Sequence, residues 1–265
     1  MWGIIPAAGR GTRIQPLAFS KELLPVGARS PHDAARPCAV AEYLVERMLR
    51  GGADKLCFVI GEGKSDILDY FGGEFAEVPI AYVVQAKPSG LCDAIFRAWP
   101  LIGPNDSVAI GLPDTVWFPD DALARLPDDM LSFLLFPVAQ PELFDAVLLD
   151  ECDCVQEIRV KQDDPGTRWI WGAFKMPARV FTQLRDLWIE RGKCDEYIGT
   201  LVNAWLRKGG LAIGVKAGES YMDVGTLAGY HAAINLLAAR DAPDAGAQVF
   251  GPARMNPVMA GENLR

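Results

Sequence analysis

The chain has 265 residues, half of them hydrophobic and 23% charged, and a formal net charge of −8. That composition fits a globular fold with a sizeable core, built as one large domain or as one domain with a small appendage. An acidic surface repels nucleic acid polymers and anionic membranes, so any phosphate bound here needs a local cluster of cations, which points to small phosphorylated ligands.

From the N-terminus, Trp2 to Ala7 reads as a buried strand followed by a glycine-rich turn. Val40 to Arg50 has helical spacing, with Val40, Tyr43, Leu44 and Met48 on one stripe and Gly51-Gly52 as its stop. Strands at Lys55 to Ile60, Ile80 to Val84 and Ser107 to Leu112 alternate with helices at Ser65 to Phe71 and Leu91 to Trp99. Such alternation predicts a mostly parallel sheet with helices on both faces and ligands beyond the carboxyl ends of the strands. The second half changes character: Leu131 to Val138, Val155 to Val160 and Trp169 to Lys175 are strands with few helices between them, and extend the sheet with mixed pairing. Helices at Ala178 to Arg191 and Glu196 to Lys208, a strand at Leu211 to Lys216 and a helix at Leu227 to Ala239 follow. The expected fold is therefore a three-layer αβα, Rossmann-like sheet over residues 1–240. Residues 241–265, rich in Ala, Gly and Pro, are expected to be a tail, loosely ordered or packed on a neighbouring subunit.

No apolar run is long enough for a membrane helix, and no basic segment precedes the apolar N-terminus, so a cytoplasmic location is expected. The six cysteines are scattered, the pattern of reduced thiols, and Cys152-Asp153-Cys154 lacks a second Cys or His pair to complete a zinc site. His32 and His231 form no motif, which removes triad chemistry.

The chemistry concentrates in Gly9-Arg10-Gly11-Thr12-Arg13, directly after the first strand, followed by Pro16 and Ser20-Lys21-Glu22-Leu23-Leu24-Pro25. Glycines after a strand let the backbone turn and present N–H groups to a phosphate, and the Arg and Lys add charge at fixed offsets. A third glycine at dinucleotide-fold spacing is missing, which disfavours a Rossmann dehydrogenase. Three more segments stand out: Gln85-Ala86-Lys87-Pro88-Ser89-Gly90-Leu91, Gly111-Leu112-Pro113-Asp114-Thr115 and Tyr221-Met222-Asp223-Val224-Gly225-Thr226, the last opening the final predicted helix. Alone, Gln85 reads as a solvated strand-end residue, Asp114 as a turn residue and Asp223 as a helix cap.

Together these blocks, spread over roughly Met1 to Asn235, resemble the sugar-1-phosphate nucleotidylyltransferases, above all the glucose-1-phosphate thymidylyl- and uridylyltransferases. The resemblance implies that Ala8, Gly9, Gly11 and Thr12 wrap a triphosphate and that Arg13 and Lys21 neutralise charge at the reacting phosphates. It implies that Gln85, Pro88 and Gly90 contact a pyrimidine base, and that Asp114 and Asp223 hold Mg²⁺. Lys161 matches a lysine that grips the sugar phosphate, and Gly172 matches a glycine near the sugar, with a packing role equally open. The expected partners are dTTP or UTP and a sugar 1-phosphate, with a homo-oligomer left open.

The sugar side departs from the pattern. Val160 stands where relatives have a Glu before the Lys, Phe144-Asp145 where they have Tyr-Gly, and Thr115 where they have Asn; an insertion around Ala28 to Ala35 lengthens a loop. Two rivals follow: a nucleotide-binding regulatory homologue without sugar turnover, and a CTP-using transferase with a non-sugar phosphorylated or phosphonylated acceptor.

Overall fold

A computed structural model of the chain describes residues 1–28 and 36–241. The core strands are apolar runs buried on both faces, as parallel strands under two helical layers must be. They are β1 (Trp2–Ala7), β4 (Lys55–Gly61) and β7 (Ser107–Gly111), and beside β4 lies the mostly half-buried β6 (Val78–Gln85). These four lie parallel in the order β7-β1-β4-β6. Two short pairs are new relative to the sequence reading: β2 (Pro25–Ala28) with β3 (Pro37–Ala39), and β5 (Glu74–Phe75) on the edge of β6. Most of the expected insertion at 28–35 lies outside the described residues, between β2 and β3, and so does the tail at 242–265.

The second half adds the mixed strands. They are β8 (Thr115–Phe118), β9 (Leu131–Pro137), β10 (Asp145–Leu149), β11 (Val155–Val160), β12 (Trp169–Pro177), β13 (Ala212–Val215) and β14 (Ser220–Asp223). β12 organises this half. One edge of it pairs β9, while the other is shared: Ala173 to Pro177 pair with β7, and Ile170 pairs with Ala146 of β10. The sheet therefore forks where β7 ends at Gly111 and β10 begins, and the chain leaving β7 has room to turn outward there. β8 leaves the main sheet to form a two-stranded antiparallel ribbon with β14.

The helices are α1 (Val40–Arg50), α2 (Ser65–Phe71), α3 (Gly90–Arg97), α4 (Ala178–Glu190), α5 (Ile198–Arg207) and α6 (Leu227–Asp241). Leu44 and Met48 of α1, with Ile67 and Phe71 of α2, form the core on one face. Ile95 and Phe96 of α3, Phe181 and Leu184 of α4, and Leu201 and Val202 of α5 form it on the other. That is the expected three-layer arrangement. A third, smaller cluster joins α6 to β2, β8 and β14 through Val26, Val116, Val224, Ala233 and Leu237.

Two boundaries differ instructively. The expected helix at Glu196 starts at Ile198, because the Glu196 carbonyl accepts the Leu91 N–H at 2.8 Å, tying this loop to the start of α3. The segment at Tyr221 to Asp223 is a strand and not a helix opening; its bonds go sideways to β8.

Candidate active site

The turn after β1 is shaped by contacts that only glycine allows. Gly11 has φ +64°, and a Cβ there would sit 2.7 Å from Cδ of Lys21, so the lysine stem lies across the glycine. None of the backbone N–H groups from Gly9 to Arg13 has a hydrogen-bond partner among the described residues. They form a set of donors available to an anion. Beneath the loop, Lys64 at the N-terminus of α2 donates to the carbonyl of Ala7 at 2.7 Å and to both oxygens of Glu22 at 2.8 Å. Two residues further along, Asp66 accepts from the backbone N–H and the hydroxyl of Ser20 at 2.6 and 2.7 Å. The Ser20-Lys21-Glu22 segment is thus fastened on both sides of Lys21, which aims its ammonium at Asp114.

That ammonium meets Asp114 at 2.5 Å, and Arg13 meets Asp223 at 2.9 Å. The two carboxylates come from distant parts of the sequence, but the β8–β14 ribbon joins them. Asp223 pairs with Thr115 in register, and the N–H of Val224 donates to the carbonyl of Asp114 at 2.8 Å. Gly225 measures how close they are. A Cβ built there would lie 2.8 Å from Asp223 Oδ1, 2.9 Å from Arg13 Nη2 and 3.0 Å from Asp114 Oδ2. The two carboxylate oxygens can be no farther apart than those first and last lengths end to end. Arg13, Lys21, Asp114 and Asp223 are therefore one cluster. Arg47, buried in α1, supports it by donating to the carbonyl of Trp117 at 2.7 Å, which holds β8 in place.

The charges reinforce one another. Burial pulls the Lys21 pKa down, but Asp114, Glu22 and Asp223 outweigh it, and the ammonium is held above its ordinary value. Burial likewise favours the neutral form of Asp114, yet Lys21 and Arg13 prevail and keep it below the usual carboxylate range. Under the loop the balance differs: burial dominates, raising Glu22 and lowering Lys64 despite their contact.

Beside the loop lies a cavity of about 270 Å³ lined by Pro6, Ala8, Gly9, Gln85, Pro88, Gly90, Leu91, Ala94 and Glu196. Five sequence-selected residues thus share one hollow. Gln85 is buried, not solvated: its amide nitrogen donates to Asp93 Oδ2 at 2.8 Å and to the carbonyl of Gly90 at 3.1 Å. A carboxylate only accepts, so the amino group must face Asp93, and the amide oxygen keeps its capacity as an acceptor. Gly90, at φ +90°, packs its α-carbon against Glu196, where a Cβ would come within 2.8 Å of main-chain atoms. A larger hollow of about 760 Å³ lies elsewhere, between the ends of α4 and α5 around Trp205 and Leu211, and holds none of these residues.

The Nucleotidyl transferase family profile matches residues 2–240. The chain belongs to that family. A glucose-1-phosphate thymidylyltransferase of Neisseria meningitidis is 27% identical over 248 residues, 89% of this chain and 82% of the relative. Among solved structures, a Bacillus anthracis chain assigned as a glucose-1-phosphate thymidylyltransferase superposes with a TM-score of 0.74 at 23% identity, covering 89% of this chain and 94% of that one. UTP-bound UGPase from Acinetobacter baumannii gives 0.72 at 19% identity, covering 90% and 93%. At those identities the two structures speak to the fold alone.

On its remaining side the nucleotidyltransferase carries Lys161 and Gly172. Lys161 adopts φ +46°, its N–H donates to the carbonyl of Phe144 at 3.1 Å, and its ammonium lies 4.8 Å from the ring centre of Tyr197. Gly172 is the bulged residue of β12 opposite β9, and a Cβ there would come within 2.5 Å of Phe136 and 2.7 Å of Tyr221. Packing alone therefore accounts for this glycine. Thr12 is exposed on the loop, and Pro88 lines the cavity. Glu196, Lys64 and Arg47 were not singled out from sequence, since each is a lone charged residue with no spacing signal around it.

Among the described residues no group of three or more His, Cys, Asp or Glu side chains is placed to hold a metal. Asp114 and Asp223 offer a two-carboxylate, all-oxygen set beside a phosphate-sized turn. This suits a hard divalent cation that completes its shell with phosphate oxygens and water.

Proposed function

We propose that the chain transfers a nucleoside monophosphate from a pyrimidine triphosphate, dTTP or UTP, to a sugar 1-phosphate and releases pyrophosphate. The observation that carries this reading is the convergence of Lys21–Asp114 and Arg13–Asp223 on one point beside Gly225, next to the unpaired N–H groups of the loop. Residues 1–240 are the proposed catalytic unit, working in the cytoplasm.

In the proposed reaction an oxygen of the acceptor phosphate attacks the α-phosphorus in line. The bond between the α-phosphorus and the bridging oxygen breaks, and the electron pair leaves with pyrophosphate. The nucleophile is already an anion, so no general base is needed. The obstacle is repulsion between two polyanions, and fixed positive charge removes it. Loop N–H groups and Lys21 draw in the triphosphate, Arg13 reaches the same place from the exposed side, and Lys161 is positioned for the acceptor phosphate. Mg²⁺ held by Asp114 and Asp223 would add two positive charges and orient phosphate oxygens. Lys21 and Arg13, which neutralise these carboxylates here, would then turn to phosphate.

The base is assigned to the cavity at Gln85. The amide oxygen left over from the Asp93 contact suits the N3–H of uracil or thymine, which cytosine lacks; this supports dTTP or UTP over CTP.

The test is a screen of dTTP, UTP, CTP and ATP against glucose 1-phosphate and other sugar phosphates, with phosphocholine as a non-sugar acceptor, read by pyrophosphate release with and without a chelator. Metal-dependent release with a pyrimidine triphosphate and a sugar 1-phosphate is expected. Triphosphate binding without release from any pairing would favour a regulatory homologue. Release only with CTP and phosphocholine would move the reading to the non-sugar transferases.

A further inference from the structure

At the fork in the sheet, strand register sets three side chains in a row. Asp145 is opposite Val160, and the pairing of Ala146 with Ile170 brings Asp145 opposite Trp171. Directly opposed residues on antiparallel strands send their side chains to the same face, about 5 Å apart. The row thus reads Trp171, Asp145, Val160, with Lys161 at its end.

Asp145 is the anomaly in this row. It is half-buried and forms no ion pair with any described residue; the polar groups that act on it are the Trp171 indole N–H and the Lys161 ammonium. Lys161 and the Trp171 indole N–H only moderate its charge from nearby. Val160 on the other side supplies no polar atom. Nor is Lys161 paired with a carboxylate: its ammonium rests over Tyr197 at 4.8 Å. One ring, that of buried Tyr221, lies within electrostatic reach of Asp145, Asp114 and Asp223 alike, so this row borders the carboxylate cluster.

A carboxylate and an ammonium near each other, neither held in an ion pair, are the complement of a ligand with both an anionic group and a hydrogen-bond donor. We infer that Asp145 selects the acceptor: its carboxylate accepts hydrogen bonds from a donor group, hydroxyl or ammonium, carried close to the acceptor phosphate, and it repels acceptors with a second anion there. This rests on the transferase reading above. The donor satisfies the stranded carboxylate, while Lys161 meets the phosphate. An acceptor bearing a carboxylate at that place would set two anions against each other in a poorly hydrated site.

The experiment measures kcat/KM for glucose 1-phosphate, glucosamine 1-phosphate and glucuronic acid 1-phosphate with the wild type, Asp145→Asn and Asp145→Leu, alongside KM for the triphosphate. Loss of a charged hydrogen bond predicts a fall on the order of 10- to 100-fold for glucose 1-phosphate in both variants. The KM for the triphosphate should stay unchanged. Relative to glucose 1-phosphate, the glucuronic acid ester should gain about tenfold in Asp145→Asn, a gain that misfolding cannot produce. A steeper loss for glucosamine 1-phosphate than for glucose 1-phosphate identifies the donor as ammonium; equal losses identify hydroxyl. A ratio of glucuronic acid 1-phosphate to glucose 1-phosphate that stays within about twofold of wild type overturns the inference while leaving the transferase intact. A wild type that releases no pyrophosphate with any acceptor overturns the transferase reading, and the inference with it.

Discussion

Replacing Asp145 by Asn should make the protein more stable at alkaline pH and change little at acid pH. Burial raises this carboxyl from its ordinary 3.8 to about 6, against the opposing pull of Lys161. The folded state therefore holds a proton over a pH range in which the unfolded chain has released it, and stability declines as pH rises through that window. Above about pH 6 the ionised group is a full liability, and a shift of that size corresponds to about 3 kcal/mol. Because the side chain keeps some contact with water, the gain expected from Asn is about 1–2 kcal/mol at pH 8. Below about pH 4 both states are protonated and the gain should vanish. Urea unfolding of wild type and variant at pH 8 and pH 4 reads this directly from the midpoints at constant slope. Equal midpoints at pH 8, or the same gain at both pH values, would show that Asp145 is not a desolvated charge without a counter-ion. Stabilisation together with loss of acceptor turnover would mark a site that trades stability for function.

Two further outcomes follow from the cluster. Lys21→Met should slow pyrophosphate release by roughly 10²–10³-fold with an unchanged circular dichroism spectrum, since the ammonium acts on charge that develops in the reaction; turnover near wild type would remove it from its assigned role. Gly225→Ala inserts a methyl within 3.0 Å of Asp114, Asp223 and Arg13 at once. It should cut turnover at least about tenfold, with a melting temperature within a few degrees of wild type, because the mobile ends of Arg13 and Asp223 yield before the fold does.

How much was legible in the sequence depended on whether a signal was local. The loop after β1, Lys21 and Asp114 sit in contiguous runs beside strong strands, and the structure brings Lys21 and Asp114 into contact. Asp223 was legible as a residue but not as part of a strand. Ser220–Asp223 is four residues long, lacks clean alternation and exists only by pairing with β8. The same holds for β10, which opens on a charged residue and owes its place to β11 and β12. Gln85 read as solvated on its own, because the carboxylate that holds it, Asp93, lies a helical turn into α3. Lys64 carried no signal at all, since its partner Glu22 is distant in sequence and the turn between Gly63 and Ser65 reads as surface. Asp145 was visible only as a departure from the family pattern. That it faces Val160 across the strands is a matter of register, which one sequence does not reveal.

The ribbon that carries Asp114 and Asp223 has a consequence for the newly made protein. Strands β1, β4, β6 and β7 are all available early in synthesis, and with them the loop and Lys21. The second acidic group arrives only with Ser220–Asp223, and it is set in place by main-chain zipping against β8. A chain made only as far as β8 can thus present one carboxylate of the proposed ion-holding pair but not both. The pair is completed only once β14 has been made, and a product truncated before β14 would keep the loop, Lys21 and Asp114 without Asp223.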